Sequence, residues 1–278
     1  MRPLPRAVLS VVLLGVVMAA ILPLVWMVST SLKPEGQILS YPPRWLPATP
    51  TLENYTSVLR RFAFGRWTLN SVVVALAATS FVVLFDAMAG YALARLRSRG
   101  SDFLFALIVS MLLVPIQVTV IPLFLLFAEV RLLDSFTALI LPTTANITGV
   151  LLMRQFFLGF PVELEEAARI DGAAEARIWW SVVIPMAGPA LGAVAALTFV
   201  SSWNSLLWPL IAVNSDQVRT LPVGIAQYMG SHAGTSGSAP AYGPALASAT
   251  MATLPALLIF LFLQRYFVRG IAMTGLKG

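Results

Sequence analysis

The stretch "EEAARIDGAAEARIWWSVVIP", residues 165–185, gathers Glu165, Glu166, Arg169, Asp171, Glu175 and Arg177 around a central Gly172, with long apolar runs on either side. Its reading decides the fold, because a charged, alanine-rich segment in such surroundings belongs in water between apolar elements. Pro161 suits a first helical turn, where its missing N–H costs nothing. Glu163, Glu165 and Glu166 then sit at the positive end of the helix dipole. Gly172 accepts the left-handed conformation that ends helices. The spacing predicts a short helix from Val162 to Asp171. A second helix should start near Ala173 and run into an apolar span, with Pro185 in its early turns.

Composition sets the class. The 278 residues are 58% hydrophobic and only 11% charged, with a mean hydropathy of +0.85. Soluble domains carry roughly 25% charged residues, so the chain reads as an integral membrane protein. It has no cysteine, which excludes disulfides, thiolate metal sites and cysteine nucleophiles. A single histidine, His232, excludes multi-histidine metal centres. The net charge of +6 is assigned to cytoplasmic loops rather than to nucleic acid, so no nucleic-acid partner is expected.

A helix needs about 20 apolar residues to cross the hydrocarbon. Six runs qualify, at approximately 7–30, 67–94, 103–128, 135–157, 182–213 and 245–264. The first follows Arg2 and Arg6, but it is longer than a signal-peptide core and no small-x-small site follows, so it is read as a span. Six spans place both termini on one side. That side holds eleven of the eighteen basic residues, which makes it cytoplasmic. Loop 159–181 is then cytoplasmic and loops 31–66 and 214–244 are outer, within one all-α transmembrane domain over 1–278. Leu52, Tyr55, Leu59 and Phe62 recur at helical spacing and predict a helix on the outer membrane surface. Loop 214–244 is rich in Gly, Ser and Pro and is expected to be flexible or to order against a partner.

Ala167 and Ala168 are small enough for another surface to approach the backbone. Glu166 and Arg169, three apart, can pair with each other or with a partner. Only Val162, Leu164 and Ile170 could anchor the helix in lipid, which favours a protein groove. Glu166-Ala167-Ala168, three residues, Gly172, nine residues, then Val182, Ile184 and Pro185 resemble the EAA motif of permease subunits in ATP-binding-cassette (ABC) importers. "LENYTSVLRRFAFGRWTLNSVVVA" (52–75), "GYALARLRSRG" (90–100), "SSWNSLLWPLI" (201–211), "VRTLPVGIAQY" (218–228) and "LQRYFVRGIAMTGLKG" (263–278) resemble the carbohydrate branch of that family, and its MalG-like member in particular.

The resemblance implies the transmembrane domain of a type I ABC importer in the bacterial cytoplasmic (inner) membrane. It makes 162–171 a coupling helix, with Glu166, Ala167, Ala168, Arg169, Asp171 and Gly172 meeting the ATPase. Gly275, Lys277 and Gly278 form a tail at the same interface. The implied partners are a second homologous permease, a dimer of ATP-binding-cassette ATPases, an extracytoplasmic solute-binding protein facing loop 214–244, and membrane lipid. The implied cargo is a carbohydrate; a permease of the same superfamily for a polyamine or phosphate ester is the alternative. Two positions depart from the family pattern: Asp86 stands where small or apolar residues are usual, and Ser205 where an acid is common.

The chain has two lysines, Lys33 and Lys277, and neither follows a G-x-x-x-x-G loop, so no phosphate cradle can form. The chain is expected to bind no cofactor and to be no enzyme, with ATP and magnesium held by the partner ATPase. Asp86 is the one clear acid inside a span. It is read as hydrogen-bonded to a neighbouring helix, with a proton-carrying role as the competing reading. An intramembrane protease or lipid phosphatase would need paired acids, or a nucleophile with its base, and Asp86 has no such companion. A channel or secondary transporter would not need the 165–185 pattern.

For a solute path, Thr143, Thr144, Asn146 and Thr148 cluster around Pro142, while Trp203, Asn204, Ser205 and Trp208 follow in the next span. Such residues either line a cavity or bond helices together. Asn204 is the leading candidate, with Trp203, Asn146 and Thr144 beside it. Their uncharged character argues for a neutral polar cargo. Gly188 and Gly192 are read as a close-packing pair.

Overall fold

The computed structural model describes residues 6–95, 100–232 and 242–274, and every regular element among them is helical. In chain order they are α1 (Arg6–Ser31), α2 (Glu53–Arg61), α3 (Phe64–Arg95), α4 (Ser101–Leu113), α5 (Ile116–Glu129), α6 (Phe136–Thr143), α7 (Ile147–Leu158), α8 (Val162–Ile170), α9 (Glu175–Met186), α10 (Gly188–Trp203), α11 (Leu207–Ala212), α12 (Leu221–His232) and α13 (Tyr242–Thr274). A single turn, Glu35–Ile38, lies between α1 and α2. Gly275, Lys277 and Gly278 fall outside the described residues.

Helices α1, α3 and α13 are each long and apolar enough to cross a membrane unbroken. The three middle spans are instead broken pairs: α4 and α5 meet at 98°, α6 and α7 at 41°, α9 and α10 at 75°. Counting each pair once gives six. The breaks have local causes. Pro115 cannot extend a helix and forces Val114 into extended backbone (φ −87°, ψ 114°). Asn146 adopts extended backbone (φ −132°, ψ 121°) and caps α7 with its own side chain, accepting from the N–H groups of Thr148 and Gly149. Pro189 opens α10, and five residues of π-helix, Trp179–Val183, precede the third break. The fifth apolar run, 182–213, is therefore a helix ending at Trp203 and a separate α11, because the chain turns at 204–206.

The chain divides into two compact units: Met1–Thr68 with Leu221–Pro255, and Leu69–Thr220 with Ala256–Gly278. Within the first, the helix that the spacing of Leu52, Tyr55, Leu59 and Phe62 predicted forms as α2. Val58 and Asn54 are buried, and Leu52 and Leu59 are exposed. Asn54 donates to the carbonyls of Ser31 and Lys33, at 2.8 Å each. The Glu35 carboxylate accepts from the N–H groups of Tyr242 and Gly243, closing the start of α13. Part of loop 214–244, expected to be flexible or to order against a partner, is the helix α12, packed on this chain's own residues. Leu221 and Val223 are buried in α12, whose Gly224 lies against the Trp67 ring and whose Tyr228 meets Phe62 edge-on at 4.5 Å. The Gly, Ser and Pro content that suggested disorder is concentrated in 230–244, after these apolar residues.

The second unit is organised around two apolar clusters. One holds Val74, Phe127, Leu139, Trp208 and Val213; the other holds Val82, Met153, Phe157, Ile178 and Val183. Gly188 meets nothing within 4 Å, so it opens α10 and packs no helix. Close approach occurs at Gly90, where an added Cβ would lie 2.6 Å from the Met153 Cβ, and at Gly149, where it would overlap the Asp86 carboxylate.

Asp134 ties the loop before α6 to the turn after α11. One carboxylate oxygen accepts from Asn214 N–H, Ser215 N–H and the Ser215 hydroxyl at 2.9–3.0 Å, and its own N–H donates to Ala212 at 2.8 Å. These bonds hold a non-glycine residue at φ +54°. The Ser215 N–H bond leads the influences that keep the carboxyl below its ordinary 3.8. Asp134→Ala should lower stability in detergent by about 1–3 kcal/mol, since three donors lose their acceptor. Asp134→Asn, which keeps an acceptor oxygen and tolerates the left-handed region, should lose less. Because the folded-state value is depressed, the contribution is complete above the ordinary value and fades as pH falls through the lowered one. A melting-temperature series from pH 6 down to 3 should show the difference between wild type and Asp134→Ala shrinking; a constant gap would reject the assignment.

Candidate coupling loop and solute cavity

Helix α8 ends at Asp171, and Gly172 follows at φ +79° with no neighbour around it. Its N–H bonds to Arg169 O and that of Ala173 to Ala168 O, both at 3.0 Å, which closes the turn before α9. Ala168 and Ala173 pack on the Phe157–Ile178 cluster. The outer face of α8 carries exposed Glu166, Ala167 and Val162, and Ile170 is 86% exposed. Trp180, 59% exposed, lies further along in α9. Small residues flanked by protruding apolar ones, with an exposed acid, make a surface that a second protein can cover.

The two adjacent glutamates differ completely. Glu166 is exposed, whereas Glu165 is 1% exposed and surrounded by partners from two helices. Tyr91 donates its hydroxyl to Glu165 Oε2 at 3.0 Å, and Arg95 Nε lies 3.1 Å from Oε1. The Glu166–Arg169 pairing anticipated from spacing does not form. Arg169 instead reaches forward to Glu175, with Nε–Oε1 at 2.8 Å and Nη2–Oε2 at 3.2 Å, and lies 3.8 Å from Glu165. The two-pronged bond to Arg169 holds the Glu175 carboxyl below its ordinary range and raises the Arg169 guanidinium in turn.

A cavity of about 460 Å³ lies in the second unit. Its polar lining consists of Thr119, Thr143, Asn146, Thr148, Thr198, Ser201, Ser202, Ser205 and Thr220. Trp208 also lines it, while its indole N–H is spent on Ala138 O at 2.8 Å. Among the described residues, no charged side chain lines this cavity. Of the four residues expected on a solute path, only Asn146 is there. Thr144 points to Leu141 O, Trp203 is 2% exposed and stacked on Phe199, and Asn204 caps α10 with its side chain on Val200 O at 2.9 Å. Helical spacing grouped Asn204 with Trp208, but α10 ends at Trp203, before either of them, and the chain turns before α11; Ser205 and Trp208 line the cavity.

Asp86 is fully buried and does not line the cavity. Its Oδ1 accepts from Asn146 N–H at 3.0 Å, and Oδ2, against Gly149, has no hydrogen-bond partner among the described residues. It therefore braces the break before α7, in line with the hydrogen-bonded reading.

Comparison with known proteins gives this geometry its family. Residues 86–273 match the family described as "Binding-protein-dependent transport system inner membrane component". The arabinooligosaccharides transport system permease protein AraQ of Halalkalibacterium halodurans is 34% identical over 262 residues, covering 93% of this chain and 92% of that one. The sulfoquinovosyl glycerol transport system permease protein SmoH of Agrobacterium fabrum is 33% identical over 279 residues, covering 100% and 94%. The sn-glycerol-3-phosphate transport system permease protein UgpE of Yersinia pestis is 36% identical over 208 residues, covering 75% and 73%. In fold, the chain matches a solved chain from a bacterial ABC transporter involved in the import of the acidic polysaccharide alginate, with a TM-score of 0.82, 24% identity and coverage of 94% and 96%. The chain thus belongs to the binding-protein-dependent transport system inner membrane component family, as a multi-pass permease of an ABC transporter.

Proposed function

We propose that this inner-membrane permease imports a neutral carbohydrate, driven by a partner ATPase that docks on α8. The observation that carries the cargo reading is a largely apolar cavity that presents a set of hydroxyls, the Asn146 side chain and Trp208, with no charged side chain among the described residues that line it. Hydroxyl and amide groups exchange hydrogen bonds with sugar hydroxyls, and the Trp208 ring offers an apolar face for sugar C–H groups. An anionic solute would leave its charge without a partner there, which is costly. Ser205 adds a further hydroxyl to the cavity.

The chain itself offers no phosphate cradle, so ATP and magnesium belong to the ATPase pair. A second homologous permease would complete the path, and a solute-binding protein would deliver the cargo from outside. Glu166, Ala167, Ala168, Arg169, Asp171 and Gly172 form the ATPase-facing turn, and Gly275, Lys277 and Gly278 are assigned to the same partner by family resemblance. Closure of the ATPases displaces α8 and alternates access to the cavity.

The test is uptake by cells expressing the whole transporter. Neutral oligosaccharides should accumulate and compete with one another, and sugar phosphates should not. Glu166→Lys should cut both uptake and the ATPase recovered with the tagged chain by about tenfold or more, as expected when a contact charge is reversed. Uptake of phosphorylated sugars alone would sink the cargo reading, and full ATPase recovery by Glu166→Lys would sink the docking reading.

A further inference from the structure

The family match explains an exposed α8 but not why the acid beside Glu166 is buried. Glu165 could have faced water at no cost. Instead its carboxylate is 2% exposed and held from α3 by two residues one turn apart, Tyr91 and Arg95. A buried ion pair is a poor source of net stability, because desolvating both charges offsets their attraction. What such a pair does supply is a fixed geometry, since either partner left alone would be an uncompensated buried charge. Arg95 also donates to Phe160 O, the last carbonyl before Pro161, so α3 grips both the entry to α8 and its first turns.

The chain of contacts continues. Arg169, one turn beyond Glu165 on α8, joins it at 3.8 Å and holds Glu175 of α9 by two bonds. Helix α8 is thus fastened on one side to the second span and on the other to the start of the fifth. The Gly172 turn leads only to the fifth. Without Glu165, the second span would receive motion only through apolar packing and the single Arg95 bond to Phe160 O at the entry to α8, which constrain the first turns less than a charge pair held from two sides.

We propose that Glu165 is a positioning residue that clamps α8 to α3, so that displacement of the docked helix is passed into the second span as well as the fifth. The inference rests on the reading of α8 as the ATPase-docking helix. It assigns Tyr91 and Arg95 to the same clamp and predicts that the two spans can be uncoupled from each other.

The absence of cysteine allows single reporters to be placed. Val74→Cys on α3 and Ser201→Cys on α10 both line the cavity. In the reconstituted transporter with its ATPase, the labelling rate of each by N-ethylmaleimide is measured with and without ATP and vanadate. With Glu165 intact, both rates should respond to nucleotide. In Glu165→Ala the response at Val74→Cys should fall by about fivefold or more, the lower end of a typical coupling, while that at Ser201→Cys persists and the ATPase stays bound. Glu165→Gln, which keeps the Tyr91 bond but loses the ion pair, should fall between, and covers the case in which Glu165→Ala does not assemble. An undiminished response at Val74→Cys in both variants would overturn the clamp, as would equal loss at both reporters, which marks Glu165 as an anchor of the loop only. If neither reporter responds with Glu165 intact and no ATPase is retained, the docking reading fails instead.

Discussion

Gly149→Ala should sharply reduce the amount of folded protein recovered from membranes, and Asp86→Ala in the same chain should restore much of it. Alanine is normally favoured over glycine inside a helix by about 1 kcal/mol, so a loss at Gly149 needs a specific cause. The cause is the Asp86 carboxylate, whose Oδ2 occupies the place an added Cβ would take. Asp86 cannot swing away, because it is fully buried and its Oδ1 is fixed on Asn146 N–H at 3.0 Å. The backbones of α3 and α7 would have to part. Overpacking of this kind costs roughly 1–3 kcal/mol or more, a large share of the 5–15 kcal/mol that holds most proteins together. Asp86→Ala removes the obstructing oxygens and leaves the Asp86 Cβ 3.3 Å from the new methyl, a contact that small shifts can accommodate. The single change Asp86→Ala should itself be mildly destabilising through the lost bond to Asn146. Fluorescence-detected size exclusion and melting temperature of the four chains form a double-mutant cycle. Simple addition of the two losses would show that Gly149 and Asp86 do not share one space.

That pairing marks a boundary of what a sequence can disclose. Asp86 is conspicuous as an acid in an apolar run, and its hydrogen bonding to another helix is a natural expectation. Its partner is a backbone N–H sixty residues away, and main-chain donors have no residue-type signature. Gly149 is equally silent, whereas Gly188 and Gly192 advertised a spacing; yet Gly188 meets nothing. Glycines mark close approach only when a neighbour arrives, and spacing along one helix does not say where neighbours are.

The loop that opened the reading was more legible, because its determinants are local. Pro161, the acids after it and Gly172 bracket a helix that runs from Val162 to Ile170, with φ +79° at the glycine. Local rules do not tell which of two adjacent glutamates turns inward. Successive helical residues differ by 100° of rotation, and the choice between Glu165 and Glu166 was made by Tyr91 and Arg95, on a different helix. The same limit misplaced Asn204. The apolar run from 182 to 213 was read as one helix, but Ala187 and the residues after Trp203 interrupt it, and each interruption resets the face that later residues occupy. Pro115 and Pro189 stand at two of the breaks, and the angles there depend on what packs against each half.

The largest functional loss is expected from Gly172→Val. The residue sits at φ +79° with open space around its missing side chain. Any effect of substitution is therefore conformational within this chain or steric at the docked partner, and the two causes order the variants differently. Left-handed backbone costs an ordinary side chain roughly 1–2 kcal/mol, more for a β-branched one, and little for asparagine. On the conformational account uptake should rank glycine, asparagine, alanine, valine. On a purely steric account alanine, the smaller residue, should outperform asparagine. The conformational order is expected, because the turn carries the bonds from Gly172 and Ala173 back to Arg169 and Ala168 at 3.0 Å and positions Arg169 for Glu175. With valine the helix end should unwind, Arg169 should lose Glu175, and displacement of α8 should no longer reach α9. Uptake should fall by about tenfold or more, with the protein still folded in the membrane, since the turn is largely exposed and sends only the half-buried Ala168 and Ala173 to the edge of a core cluster. Measuring uptake, recovered ATPase and melting temperature across the four residues separates the cases: alanine above asparagine would place the role of Gly172 in the fit of the partner rather than in the geometry of the turn.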